Sequence, residues 1–274
     1  MASVSVLIYT MNEEIHLQQC IDSLSWCDDI VVVDSFSTDN TEQIARQNGA
    51  RFFQHSFEGF GSQRNWSLEH IDLHHDWVLI LDADERVPEE LAQELEKLAD
   101  LNSSETGAWR LRRRLYMWGK WLRYSSMYPT WTVRFIHKDR VRYINRGHAE
   151  TQEVEGKIGQ LEHDLIDENL KGIDAWFERQ NRYSTKDAMY EKGIEDQPLQ
   201  LAELFSPDPL KRRAALKRLT VGLPFRPFIY FMYSYFFRMG FFDGRRGLQF
   251  CLMKALYQRM IMVKKYDCQH TEMK

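Results

Sequence analysis

The sequence predicts an α/β fold: a doubly wound, mostly parallel sheet followed by a helical, basic C-terminal region. Three observations predict it. Short β-branched apolar runs that end on acidic residues alternate with helix-like segments, and the connections between them are a few residues long. Towards its end the chain turns to cations and aromatics.

Ser3 to Tyr9 reads as a strand and stops at Thr10-Met11-Asn12-Glu13-Glu14, a polar turn that opens a helix with Asn12 as its expected N-cap. The helix runs to about Leu24 and offers Ile15, Cys20, Ile21 and Leu24 to a core. Asp29 to Asp34 is a second buried strand, and Ser35 to Thr41 is a turn rich in Ser, Thr and Asp before the next helix. Ala50 to Phe53 is a short third strand, Ser62 to His70 a helix, and Trp77 to Leu81 the fourth strand. No G-x-G-x-x-G follows the first strand and no G-x-x-x-x-G-K-S/T occurs, so a nucleotide would be held by another device.

The chain is organised around Asp76 to Arg86. Val78 to Leu81 is a buried apolar run that stops on Asp82, Ala83, Asp84 and Glu85. On an extended backbone alternate side chains share a face, so Asp82 and Asp84 are expected to point the same way at the strand's carboxyl end, where open α/β sheets bind ligands. Two converging carboxylates need a cation or donor between them, and a divalent metal carrying a phosphorylated ligand satisfies both. The alternative is a solvated strand end leading into a helix at Pro88-Glu89-Glu90.

Trp109 to Tyr143 interleaves Arg110, Arg112, Arg113, Arg114, Lys120, Arg123, Arg134, Lys138, Arg140 and Arg142 with Trp, Tyr and Phe. Such a mixture could stack single-stranded nucleic acid or carbohydrate, or form a solvated strand face over buried rings. Gly147-His148-Ala149-Glu150 and Leu161-Glu162-His163-Asp164 follow. Ile173 to Met189 is a helix with Trp176, Phe177 and Tyr183 near one face, and Pro198, Pro207 and Pro209 mark a hinge. Phe225 to Arg238 is an aromatic run between arginines, Gly240 to Gly244 a turn, and Leu248 to Val263 an amphipathic helix. The run is too short to span a bilayer, yet its aromatics and cations suit a bilayer interface.

Hydrophobic content of 43% and charged content of 28% are ordinary for a chain that buries a core. The four cysteines show neither C-x-x-C nor zinc spacing and read as free thiols in a reducing compartment. Neither a signal-peptide pattern nor a run of roughly 18 apolar residues occurs, so a cytoplasmic protein is expected, peripheral on the inner face of the cytoplasmic membrane. The formal net charge of −4 hides a split: from Lys211 onward 14 basic residues face 3 acidic ones, and the rest of the chain carries 22 against 37. The tail therefore faces an anionic membrane surface or the acidic body.

Three of these segments carry a family resemblance: Val6 to Glu14, Val31 to Thr41, and Leu79 to Glu85, in that order and at fitting spacing. Together they resemble the signatures of family 2 glycosyltransferases with the GT-A fold, and the tail is similar to that of bacterial transferases building lipopolysaccharide core or other envelope glycans. The resemblance implies inverting transfer from a nucleotide-diphosphate sugar, with a UDP-sugar expected, using Mg²⁺ or Mn²⁺, to a glycan or glycolipid acceptor and without nucleic acid. It gives Asp34 the base, Thr10 and Glu14 the nucleoside pocket, Arg64 the nucleotide, Asp82 the ribose or the metal, and Asp84 the metal. Arg134, His148 and His163 fall on the acceptor side. Glu150 is the candidate general base, with Asp167 and Glu168 as rivals. The pattern departs at Tyr9, Met11 and Ser35, which leaves the identity of the nucleobase open. The expected domains are 1–195, with a nucleotide half of about 1–100 and an acceptor half of about 101–195, and a membrane foot of 196–274. Two other classes are weighed: a carboxylate-pair glycoside hydrolase, whose acids would stand about 5–10 Å apart, and a non-catalytic membrane-associated scaffold.

Overall fold

The structure, a computed structural model, describes residues 3–100, 105–146, 149–195, 223 and 225–271. The chain divides into two compact units, Met1–Arg123 with Tyr128–Lys171, and Tyr124–Met127 with Gly172–Lys274.

In the first unit the expected alternation is present. It runs β1 (Val4–Thr10), α1 (Glu14–Asp22), β2 (Asp29–Asp34), α2 (Thr41–Gln47), β3 (Arg51–Gln54), α3 (Phe60–His70), β4 (Trp77–Asp82), β5 (Glu85–Arg86) and α4 (Glu89–Asp100). Then come β6 (Thr106–Met117), β7 (Lys120–Trp121), β8 (Thr130–His137), β9 (Val141–Arg146), β10 (Ala149–Val154) and β11 (Lys157–Glu168). The main sheet has the order β3-β2-β1-β4-β8-β6-β11-β5, with β7 paired to β6, and β9 and β10 form a separate hairpin. β1 lies parallel between β2 and β4, whereas β8 runs antiparallel to both β4 and β6.

Parallel strands covered on both faces need apolar side chains on both, which is why Val31–Val33 and Val78–Leu81 are continuous apolar runs. One face packs Val4, Val6, Ile8, Leu79 and Leu81 against Leu17 and Ile21 of α1 and Leu91 and Leu95 of α4. The other packs Leu7, Val31, Val33, Val78 and Ile80 with Trp66 and Leu68 of α3 and Tyr143 of β9.

Two local expectations are corrected. Asn12 is not the N-cap of α1: Glu13 holds that position without a side-chain cap, and Asn12 takes a left-handed conformation with φ 55°. Its Oδ1 instead accepts from the Thr38 main-chain N–H at 2.8 Å. Nor does the extended backbone run on from Asp82 to Asp84, since Ala83 and Asp84 form a turn between β4 and β5.

The second unit holds α5 (Gly172–Glu195), α6 (Arg226–Met232), a π-helical turn at Tyr233–Phe237, a 3-10 turn at Gly240–Asp243 and α7 (Gly244–Thr271). α5, expected to close the first domain, groups here through Ala188, which clusters with Tyr257 and Ile261 of α7. Tyr257 donates to Asp187 at 2.6 Å, and Arg226 pairs with Glu191 at 2.7 Å. Pro198, Pro207 and Pro209 lie outside the described residues. Among the described residues no helix is long and apolar enough to cross a membrane. All four cysteines are free thiols.

Candidate active site

The carboxyl ends of β1 and β2 meet at register Thr10 to Asp34. Asp34 is fully buried and accepts from the Thr10 hydroxyl and the Ser37 N–H at 2.8 Å each, from the Ser37 hydroxyl, and from Gln54 Nε2 at 3.3 Å. Ser37 Oγ in turn accepts from the Asn12 N–H at 2.7 Å. Glu14, at the start of α1, accepts from the Asn40 side chain at 2.8 Å. The residues expected to hold a nucleoside are thus brought together, and here Asp34 braces the two loops against each other. Phe36, between Asp34 and Ser37, is held left-handed at φ 59° and is 58% exposed.

A second cluster forms at the carboxyl end of β4, across β1 from β2. Alternation places Asp82 with Val78 and Ile80 on the α3 side. Arg134 reaches it from β8 because that strand carries an extra residue: Trp109 pairs with Phe135 and Arg110 with Val133, so Arg134 is bulged out of the ladder and re-aimed. Its Nη2 lies 2.6 Å from Asp82 Oδ2 and 2.8 Å from Glu85 Oε1. Arg64 Nη2, from α3, lies 3.5 Å from Asp82 Oδ1, with its guanidinium over the rings of Tyr9 and Tyr143. Burial opposes ionisation of Asp82, but Arg134 and then Arg64 outweigh it and hold the carboxyl far below the usual carboxylate range. Glu85 has no solvent access, accepts from the Asp82 N–H at 2.9 Å, and also faces Arg113 at 3.4 Å. Burial and the charge of Asp82 push its affinity for a proton up, against the pull of Arg134. Among the described residues, Arg134 Nε and Nη1 and the Tyr143 hydroxyl are buried without a hydrogen-bond partner.

Asp84 turns towards β11. Its Oδ2 accepts from Asn169 Nδ2 at 2.8 Å, and its carbonyl accepts from the Glu168 N–H at 3.0 Å. Asp167 sits opposite Glu85 in the β5–β11 pairing and lies 3.1 Å from Arg113. Its carboxyl is pushed up to about 7, first by burial and then by the charge of Asp84, with Arg113 opposing. Glu168 is paired with Arg86 at 2.5 Å. Asp82, Asp84, Glu85 and Asp167 thus share a negative field that a divalent cation would relieve, and their hard oxygen donors suit Mg²⁺ or Mn²⁺. Among the described residues no three His, Cys, Asp or Glu side chains converge closely enough to hold a metal alone. The donor set therefore fits a cation that takes one or two carboxylates and completes its shell from phosphate and water.

The remaining expectations fall elsewhere. Glu150 is in β10, but its side chain lies outside the described residues, as does the whole of His148. His163 faces Glu94 of α4 at 2.9 Å and pins β11 to that helix. Much of the cation–aromatic mixture is used internally: Arg110 and Arg112 lie over Trp131, Arg114 and Arg123 over Trp121, and Arg112 and Arg114 both pair with Asp164. A cavity of about 550 Å³ between α3 and the β9–β10 hairpin mixes Glu69, Glu153 and Glu155 with Lys138, Arg140 and Arg142. It lies beside the start of β4, where the Lys138 N–H meets the Asp76 carbonyl, and not at Asp82. The sequence alone does not single out Glu85, Arg113 or Asn169. Glu85 stood in the acidic run itself, and only its burial separates it from its neighbours.

Among known families, residues 5–154 match Glycosyl transferase family 2. The chain is 29% identical over 272 residues to the lipopolysaccharide core biosynthesis glycosyltransferase LpsC of Rhizobium meliloti (strain 1021), covering 93% of this chain and 92% of that one. An uncharacterized glycosyltransferase of Rickettsia typhi is 37% identical over 97 residues, which is 35% of this chain and 32% of its relative. A mannosyltransferase from Pyrobaculum calidifontis, solved in complex with GDP-Man and Mn²⁺, superposes with a TM-score of 0.52 at 15% identity, over 97% of this chain and 87% of that chain. That last likeness is one of fold, and it is of the expected GT-A type.

Proposed function

Because the chain belongs to Glycosyl transferase family 2, and is thereby a glycosyltransferase, we propose that it transfers a sugar with inversion from a nucleotide-diphosphate sugar, a UDP-sugar first among these, to a lipid-linked or envelope-glycan acceptor. Similarity to LpsC along nearly the whole chain supports an acceptor of the lipopolysaccharide-core kind, and hence a place at the inner face of the cytoplasmic membrane. The hydrolase and scaffold alternatives have no comparable support. The observation that carries the reading is the meeting of Asp82 with Arg134 and Arg64 at the carboxyl end of β4, with Asp84 and Asp167 on the turn and strand beside it.

In the reaction an acceptor hydroxyl oxygen attacks the anomeric carbon, the bond from that carbon to the diphosphate oxygen breaks, and the nucleoside diphosphate leaves with the bonding electrons. Negative charge grows on the leaving group, and Arg64 and Arg134 supply fixed positive charge to meet it. Asp82 orients both guanidinium groups and takes the ribose. Thr10, Glu14 and the loops braced by Asp34 enclose the nucleoside. Asp84 would hold Mg²⁺ or Mn²⁺, with Asp82 nearby, and a bound cation neutralises the departing diphosphate. The acceptor proton goes to a carboxylate on the far side of the sugar. Glu150 is one candidate; Asp167, whose proton affinity is poised near neutrality, is its rival.

Purified protein with UDP-sugars and Mn²⁺ is expected to release UDP slowly, and Asp84→Ala to abolish release while leaving thermal unfolding unchanged. Full activity in Asp84→Ala, or in excess chelator, would remove the metal-assisted reading. In the same assay Glu150→Gln and Asp167→Asn decide between the two bases, since only the base variant should lose about 10²–10⁴-fold in turnover with donor affinity retained.

A further inference from the structure

Within the second unit α6 buries none of its residues, although it is built from Phe228, Ile229, Tyr230, Phe231 and Met232. The apolar surface continues through the turns that follow. Phe225 is 71% exposed, Phe237 77% and Phe242 60%. These rings do not wave singly: Phe231 stacks on Tyr235 at 5.3 Å, Tyr235 meets Phe236 at 5.1 Å and Phe241 at 6.2 Å, and Phe241 meets Phe242 at 4.5 Å. A connected aromatic surface of this kind marks a place where water is to be displaced.

Charge decides what displaces it. From Phe225 to Tyr266 the chain carries eight Lys and Arg and a single acid, Asp243. That acid is buried, with its Oδ2 accepting from the Tyr124 and Ser125 N–H groups at 3.0 and 2.8 Å. Arg245 and Arg246, next to the aromatic corner, are exposed. An isologous contact with a second copy would bring these cations against themselves, which opposes self-association. An anionic surface with an apolar layer just beneath it matches both features.

We infer that Phe225–Phe242, with Arg245 and Arg246, form an interfacial foot that seats its rings among the headgroups of a bilayer containing anionic lipid. This deepens the reading of a lipid-linked acceptor but is tested without donor or acceptor, so that its failure is separable from failure of the transferase reading.

The full chain is floated with vesicles of phosphatidylcholine alone and of phosphatidylcholine with phosphatidylglycerol, at low and high salt. Retention on the anionic vesicles is expected, weakening as salt rises. Each basic residue near such a surface contributes about 1 kcal/mol, or about fivefold in partitioning, so Arg245→Gln with Arg246→Gln should lower retention about thirtyfold. Phe237→Ser with Phe242→Ser should lower it on every vesicle, and both double variants, altered only at exposed positions, should melt with the parent. Equal recovery with and without vesicles would overturn the inference, as would parental flotation of both variants. A dimer in sedimentation that Phe237→Ser with Phe242→Ser dissociates would also overturn it, assigning the face to a second copy.

Discussion

Glu85 has no contact with solvent, yet its two oxygens accept from the Asp82 N–H, from Arg134 and at longer range from Arg113. A carboxyl that burial and the charge of Asp82 already push towards its protonated form loses little on becoming an amide; truncation is the costly change, because the Arg134 guanidinium and the Asp82 N–H it leaves behind stay buried. Glu85→Ala is expected to lower unfolding stability by about 3–5 kcal/mol and to lose activity with it, and Glu85→Gln to lower stability far less, which urea unfolding and UDP release would measure together. Phe36 presents the reverse case. A left-handed conformation costs a residue with a side chain roughly 1–2 kcal/mol, and its exposed ring recovers little by burial. Phe36→Gly should therefore raise the melting temperature, and a fall would show that the ring is held by packing. Asp167 gives a pH dependence whose sign is fixed. Its carboxyl is raised from 3.8 to about 7 in the folded chain, so the folded state holds the proton more tightly than the unfolded one. The stability it contributes is full below its unfolded value and is lost as pH rises towards 7. In metal-free buffer the melting temperature of Asp167→Asn relative to the parent should climb across that window and level off above it.

At the scale of elements, the four parallel strands are legible because each is a short apolar run closed by a polar turn, whereas their order is not: β4 pairs with β1 and not with β3, the strand before it in sequence. Arg134 was singled out, but its orientation was not legible: the bulge that frees it depends on which residues of β6 lie opposite, a fact of pairing and not of local sequence. The Asp82–Asp84 alternation failed for a related reason. Glu85 and Arg86 pair with Ile166 and Asp167, and joining that short strand to β4 requires a turn at Ala83 and Asp84. Asp243 shows the same limit in the second unit. It stood in what read as a simple Gly–Phe–Phe–Asp–Gly turn, yet its carboxylate accepts from the Tyr124 and Ser125 N–H groups and from the Ser125 hydroxyl at 2.7 Å, more than a hundred positions earlier in the chain. Asp243→Ala leaves those donors buried and should cost about 2–4 kcal/mol in thermal or urea unfolding.

At the scale of the whole molecule, the charge split between body and tail was readable by counting, whereas the division of the fold was not. Composition changes near the tail's aromatic run, but the second unit also takes in α5 and the four residues Tyr124–Met127, which are enclosed in sequence by the first unit. A chain that leaves one unit and returns cannot be cut into two complete pieces at a single bond. Cleavage after Lys171 would give a fragment 172–274 lacking Tyr124–Met127, and a fragment 1–171 carrying that segment without Asp243 to satisfy its N–H groups. Fragment 1–171 holds the whole of the first unit and should melt cooperatively alone, whereas 172–274, lacking part of the second, should not. Produced together, they should co-purify through an affinity tag on one of them, because the segment in the first completes the unit formed by the second. Asp243→Ala in the C-terminal fragment should sharply lower that recovery. Cooperative unfolding of fragment 172–274 alone, with recovery indifferent to Asp243, would mean that the segment is carried by the second unit and is not needed to build it.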